Sequence, residues 1–242
     1  MTINLGNPTL AINGGQKTRE KAWPANETTD HAETEAVLRV LGSKKLSAFE
    51  GAHVPDDGFS FYGGVEVQGL ERAWESLFSV PFAVSVNSAT SGLFAAVGAL
   101  GLGYGDEVIV SPYTMTACAL APLIYGAIPV FADVCKTTGC LDPASVAQKI
   151  SARTKAIIVV HQFGFAANMS EICRLAKLHN LVVIEDCAQA YGAEHRGQPV
   201  GTFGDIAVFS LNVNKAIQSG EGGMCTTQDA DLAYRLQLIR NH

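Results

Sequence analysis

Six short runs of apolar, mostly β-branched residues punctuate the chain: Phe82–Val86, Glu107–Val110, Ile128–Ala132, Ala156–Val160, Leu181–Glu185 and Ile206–Ser210. Between and after them, apolar positions recur at helical spacing over Ser91–Leu100, Thr114–Tyr125, Pro143–Ile150, Ser170–His179 and Ala230–Arg240. Continuous apolar strands alternating with helices predict a mostly parallel sheet covered on both faces, since only a strand buried on both sides dispenses with polar alternation. The expected fold class is α/β, a three-layer α/β/α sandwich. Ahead of the first strand, one helix is expected over Asp30–Leu41, capped by Thr29 or Asp30, and another over Val65–Phe78. Between them Gly42–Gly64, rich in Gly, Ser and Asp, reads as an extended excursion. The chain thus divides into an N-terminal segment of helix and extended arm, residues 1–60, and a large domain, residues 61–242.

Composition narrows the class further. With 242 residues, 48% hydrophobic and 17% charged, the chain can bury a large core and is too apolar to be disordered. A net charge of −6 with no basic stripe argues against nucleic acid and anionic lipid as partners. The first fifteen residues lack the basic start and apolar run of a secretory signal. Ser111–Ala132 is uncharged and long enough to span a bilayer, but Pro112, Pro122, Gly126 and Pro129 interrupt it, so a buried helix and strand are expected rather than a membrane span. Cys118, Cys135, Cys140, Cys173, Cys187 and Cys225 form no CxxC pair, which suits reduced thiols in a cytoplasmic protein and suggests no metal-ligand set.

In open parallel sheets ligands bind beyond the carboxyl ends of the strands. After Phe82–Val86 comes Asn87-Ser88-Ala89-Thr90-Ser91-Gly92, small residues opening a helix whose N–H groups and hydroxyls suit a phosphate; an ordinary N-cap is the plainer alternative. After Leu181–Glu185 comes Asp186, a carboxylate at the mouth of an apolar strand, which needs a cation or several donors; a salt bridge or cap would explain it equally well. After Ile206–Ser210 come Leu211-Asn212-Val213-Asn214-Lys215 and then Gln218-Ser219-Gly220-Glu221-Gly222-Gly223. A partly desolvated lysine there can lose its proton and act as a nucleophile, against the usual fate of a snorkelling surface lysine. Phosphate cradle, strand-end carboxylate and strand-end lysine on one face of one sheet are what pyridoxal phosphate requires. The helix start holds the phosphate, the carboxylate keeps the pyridine nitrogen protonated, and the lysine forms the Schiff base.

The order of Asn87-Ser88-Ala89-Thr90-Ser91, Gly105-Asp106-Glu107-Val108-Ile109-Val110, Ile184-Glu185-Asp186-Cys187-Ala188-Gln189-Ala190, Gly201-Thr202-Phe203-Gly204-Asp205, Phe209-Ser210, Lys215 and Gly220-Glu221-Gly222-Gly223 resembles the DegT/DnrJ/EryC1/StrS family from about Leu10 to His242. These are pyridoxal phosphate enzymes with an aspartate aminotransferase-like large domain, mostly aminotransferases acting on nucleotide-linked keto sugars or cyclitol ketones. The resemblance implies that Ala89 and Thr90 hold the cofactor phosphate, with Ser210 adding a hydroxyl. It implies that Asp186 pairs with the pyridinium nitrogen, Gln189 lies near the 3-hydroxyl, and Lys215 binds the cofactor covalently and moves protons. Where the family has an aromatic residue over the cofactor ring, this chain has Met115, with Tyr113 nearby. A homodimer with glutamate or glutamine as amino donor is implied as well. Relatives continue into a smaller C-terminal domain that this chain is expected to lack, so a catalytically incomplete cofactor-binding or regulatory protein, or one half of a split enzyme, is the alternative expectation. Having Lys215 rather than histidine argues against the family's sugar dehydratases.

Overall fold

The structure is a computed structural model that describes residues 6–24, 29–49, 53–54, 58–59 and 62–241. Helix α1 (His31–Ser43) starts where Asp30 accepts the Ala32 N–H at 2.8 Å while Glu33 accepts the Asp30 N–H at 2.7 Å, a reciprocal cap that selects Asp30 over Thr29. A two-stranded hairpin follows, β1 (His53–Val54) with β2 (Gly58–Phe59). Residues 50–52, 55–57 and 60–61 of the expected excursion, and with them the division at residue 60, lie outside the described residues.

The remaining elements alternate as the apolar runs predict. They are α2 (Val65–Phe78), β3 (Phe82–Val86), α3 (Ala89–Ala99), β4 (Glu107–Val110), α4 (Ala117–Ile124), β5 (Ile128–Phe131), α5 (Pro143–Lys149), β6 (Thr154–Val160), α6 (Met169–His179), β7 (Val182–Asp186), a small hairpin of β8 (Glu194–His195) and β9 (Gln198–Pro199), β10 (Ile206–Ser210), β11 (Gly223–Thr227) and α7 (Ala230–Arg240). The seven-stranded sheet has the order β3-β11-β10-β7-β6-β4-β5. Only β11 runs against its neighbours, pairing antiparallel with both β10 and β3. Consecutive strand residues face opposite layers. Val108 and Val110 join Leu93, Ala96 and Leu236 beneath α3, α4 and α7, whereas Ile109 joins Val146, Met169 and Ile172 beneath α5 and α6. A third cluster under α2 packs Trp74 against Phe209, Met224 and Ala83. Apolar side chains on both faces of one strand are what bury the sheet completely and give the three layers.

Two expectations change. Gly223, expected to end a glycine-rich turn, instead opens the fully buried strand β11, whose remaining residues 224–227 had no expected element. Gly223 is required there, because a Cβ would lie 2.7 Å from the Ser88 carbonyl carbon and 2.8 Å from the Ala89 nitrogen, so only glycine lets β11 pass the start of α3. The stretch Ser111–Ala132 folds as helix plus strand but is only partly buried. The helix presents Ala117, Cys118, Ala121 and Pro122 to the core, while Ile124 is 55% exposed and Phe131, on edge strand β5, is 49% exposed. An edge strand backed by a single helix has one face to cover and no neighbour on its outer side. Among the described residues no helix is long and apolar enough to cross a membrane.

Candidate active site

The carboxyl ends of β3, β6, β7 and β10 open onto one cavity of about 300 Å³. Ala89, Thr90, Met115, Asp186, Gln189, Ser210 and Lys215, the candidates read from the sequence, all line it. Ser88, Thr114, Asn212, Asn214, Glu221 and Gly222 line it as well and were not among those candidates. Ser88, Asn212 and Asn214 had a usable signal, since each stands in a short polar segment immediately after a strand.

At the start of α3 the cap and the donor groups coexist. The Ser88 hydroxyl accepts the Ser91 N–H at 3.0 Å and its carbonyl accepts the Gly92 N–H at 2.9 Å. The Ala89 and Thr90 N–H groups precede the first intrahelical donor, the Gly92 N–H, so they remain as donors at the positive end of the helix dipole. Ser210 stands across the cavity at the end of β10. Its carbonyl accepts the Tyr191 hydroxyl, which ties a ring already packed against Trp74 and Phe209.

Asp186, at the end of β7, is only 6% exposed. One carboxyl oxygen accepts the Ala188 N–H at 3.0 Å and the other the Cys118 thiol at 3.1 Å. Burial pushes the carboxyl above its ordinary 3.8, while the Ala188 and Cys118 donors and the Lys215 charge pull the other way. Burial above all, and then the same carboxylate, push the Cys118 thiol far up, so it donates as a neutral S–H. A buried carboxylate held by two neutral donors gains most from a cationic N–H in the cavity. Cys118 carried no sequence signal for this contact, because an apolar helix with one thiol looks like any core helix.

The preceding residue, Glu185, points into the opposite layer and is fully buried. It accepts the N–H groups of Gly201 (2.8 Å), Phe203 (2.8 Å) and Gly204 (2.7 Å) and lies 3.0 Å from His161 Nε2. Because His161 Nδ1 accepts the Ala167 N–H at 3.1 Å, Nε2 carries the ring proton and donates it to Glu185. His161, Glu185 and Cys187 are close enough to suggest a metal cluster, but these hydrogen bonds already consume the imidazole and carboxylate ligand atoms. The cluster anchors the loop 201–204 beneath the site.

Lys215 is half-buried, in a turn where its N–H donates to the Asn212 carbonyl at 2.9 Å. It lines the main cavity and also a second chamber that opens beside it. Gln189 is oriented by Phe163, whose N–H donates to Gln189 Oε1 at 3.0 Å. A backbone donor fixes the amide oxygen on that side and leaves Nε2 as the end available elsewhere. Phe163 itself adopts φ 51°, ψ 31°, a left-handed conformation that costs a bulky residue about 1–3 kcal/mol. Met115 is 65% exposed at the rim.

The arrangement offers unshared N–H donors and hydroxyls for a phosphate, a buried carboxylate for a cation, and a primary amine. That donor set fits pyridoxal phosphate, whose phosphate and ring nitrogen carry opposite charges.

Residues 50–242 match the DegT/DnrJ/EryC1/StrS aminotransferase family. The chain is 38% identical over 231 residues to an L-glutamine:2-deoxy-scyllo-inosose aminotransferase of Streptomyces fradiae, covering 96% of this chain and 53% of that one. It is 46% identical over 187 residues to a UDP-N-acetyl-3-dehydro-alpha-D-glucosamine 3-aminotransferase of Acidithiobacillus ferrooxidans, covering 77% and 51%. The solved structure of an E. coli GDP-4-keto-6-deoxy-D-mannose-3-dehydratase with bound hydrated PLP superposes with a TM-score of 0.76 at 26% identity, covering 87% and 52%. The chain spans about half the length of the curated relatives it matches.

Proposed function

Because this chain belongs to the DegT/DnrJ/EryC1/StrS aminotransferase family, we propose that it acts in pyridoxal phosphate-dependent transfer of an amino group from glutamine or glutamate to a cyclitol ketone or a nucleotide-linked keto sugar. The observation that carries this function is the convergence of Lys215, Asp186 and the α3 start on one cavity.

Pyridoxal phosphate supplies an electron-withdrawing ring that lowers the cost of removing a proton from the carbon bearing the amino group. The chain's residues supply the rest. The Ala89 and Thr90 N–H groups and the Ser210 hydroxyl would hold the phosphate. Asp186, kept out of water, would hold the ring nitrogen's proton by charge. Gln189, turned by Phe163, would present Nε2 toward the 3-oxygen. The Lys215 amine would be the covalent anchor and, as general base and acid, the group that takes and returns the proton. Retention of lysine at position 215 favours amino transfer over dehydration. Adding L-glutamine or L-glutamate to the cofactor-loaded protein should change the cofactor's visible absorbance, and a keto acceptor should restore it. A spectrum indifferent to both donors would contradict amino transfer and support a binding-only protein.

Met115 sets an expectation of its own. If its thioether covers the ring, Met115→Phe should tighten cofactor binding roughly two- to twelvefold, since offset aromatic stacking adds about 0.5–1.5 kcal/mol. Titration of cofactor affinity checks this, and weaker binding would place Met115 away from the ring.

Six free cysteines suit a reducing, cytoplasmic compartment. A homodimer is supported by apolar surface on α4 and β5, where Leu123 and Ile128 are also exposed. Light scattering should give twice the 25.6 kDa chain mass or more, and a monomer independent of concentration would contradict a dimer.

A further inference from the structure

Beside the main cavity lies a second chamber of about 410 Å³, lined by Phe163, Ala188, Gln189, Tyr191, Asn214, Lys215 and Ala216. Ala188, Gln189, Asn214 and Lys215 belong to both, so the two spaces meet at the lysine. What the second chamber adds is aromatic. Tyr191 is immobilised by its hydroxyl bond to Ser210 and its packing on Phe209. Phe163 is the reverse case: its side chain is largely exposed, and among the described residues its aromatic neighbour is Tyr113, edge-on at 6.3 Å and 72°. The core therefore does not hold the ring. It is held by the backbone, in a left-handed turn closed by the Phe165 N–H on the Gln162 carbonyl at 2.9 Å and by the Gln189 contact. A left-handed aromatic residue that buries little persists where a site uses the geometry it imposes.

Resting on the amino-transfer function above, we infer that Phe163 is the platform on which the keto acceptor's saturated ring lies as its carbonyl carbon reaches the Lys215 end of the cavity. A cyclitol or pyranose presents a flat face of C–H bonds and an edge of hydroxyls. The C–H face suits an aromatic ring, and the hydroxyl edge suits the amides of Asn214 and Gln189. Glutamine and glutamate have no such ring, so Phe163 separates acceptor from donor.

Saturation-transfer NMR tests this on the cofactor-loaded protein with myo-inositol, an unreactive polyol, as the probe. Irradiating aromatic protons should transfer magnetisation to the inositol ring protons in the native chain and in Phe163→Tyr. Transfer should fall severalfold in Phe163→Ala and in Phe163→Gly. Phe163→Gly tolerates the left-handed turn and keeps the Gln189 contact, so it separates loss of the ring from relaxation of the backbone. The donor-induced absorbance change is recorded on the same four proteins as the separate readout of amino transfer. Undiminished transfer in Phe163→Gly would overturn the platform, whereas ring-dependent transfer with no response to either amino donor would overturn only the amino-transfer function.

Discussion

Lys215→Ala should abolish covalent capture of pyridoxal phosphate and lower amino transfer by at least about 10²–10⁴-fold, the range that loss of one positioned general acid–base alone produces. Among the lysines of the described chain, Lys215 is the one that lines the cavity with Asp186 and the start of α3. Lys155 and Lys177 lie on β6 and α6 and do not line it. Because Lys215 sits in a half-exposed turn, its truncation should leave the fold intact, and circular dichroism would confirm that the loss is chemical. Retained capture in a folded Lys215→Ala protein would remove the lysine from its role.

Asp186→Asn carries the second large effect, and it has two signs. With cofactor bound, an amide cannot hold the ring nitrogen's proton by charge. Opposite charges at contact move a partner's pKa by about 1–3 units, so amino transfer should fall by about 10- to 1,000-fold. Without cofactor the same change should stabilise the protein at neutral pH. Burial raises the Asp186 carboxyl above its ordinary 3.8, so the native state binds this proton more tightly than the unfolded state does. The contribution is full below the ordinary carboxyl range and is lost as pH rises through the native value. The cofactor-free chain should therefore lose melting temperature across that window, and Asp186→Asn should flatten the slope. Thermal melts from pH 4 upward check it; identical slopes would mean that Asp186 is not paying to be buried.

The parts of the fold that were legible in the sequence are those whose apolar pattern is unambiguous. Runs such as Phe82–Val86, closed by Asn87, and Ile206–Ser210, opened by Asp205, match their strands residue for residue. Strand β11 was hidden because Gly223-Met224-Cys225-Thr226-Thr227 opens on a glycine and carries two threonines, a pattern shared with turns. The glycine answers to the helix start beside it, a contact between distant parts of the chain. The exposure of Phe131 was hidden for a related reason: an apolar run does not say whether its strand lies at an edge or in the centre of a sheet. Asp186 and Lys215 were legible because strand-end position alone is informative in an open sheet. Cys118 and Phe163 were not, since the thiol's contact with Asp186 spans 68 residues and the phenylalanine occupies a left-handed position that a sequence ordinarily marks with glycine or asparagine.

The lysine that captures the cofactor defines the active site. Borohydride reduction of the protein loaded with pyridoxal phosphate, followed by proteolysis and mass spectrometry, should place the phosphopyridoxyl group on Lys215. Finding it on Lys155, Lys177 or another lysine, or recovering no adduct, would contradict the site described above.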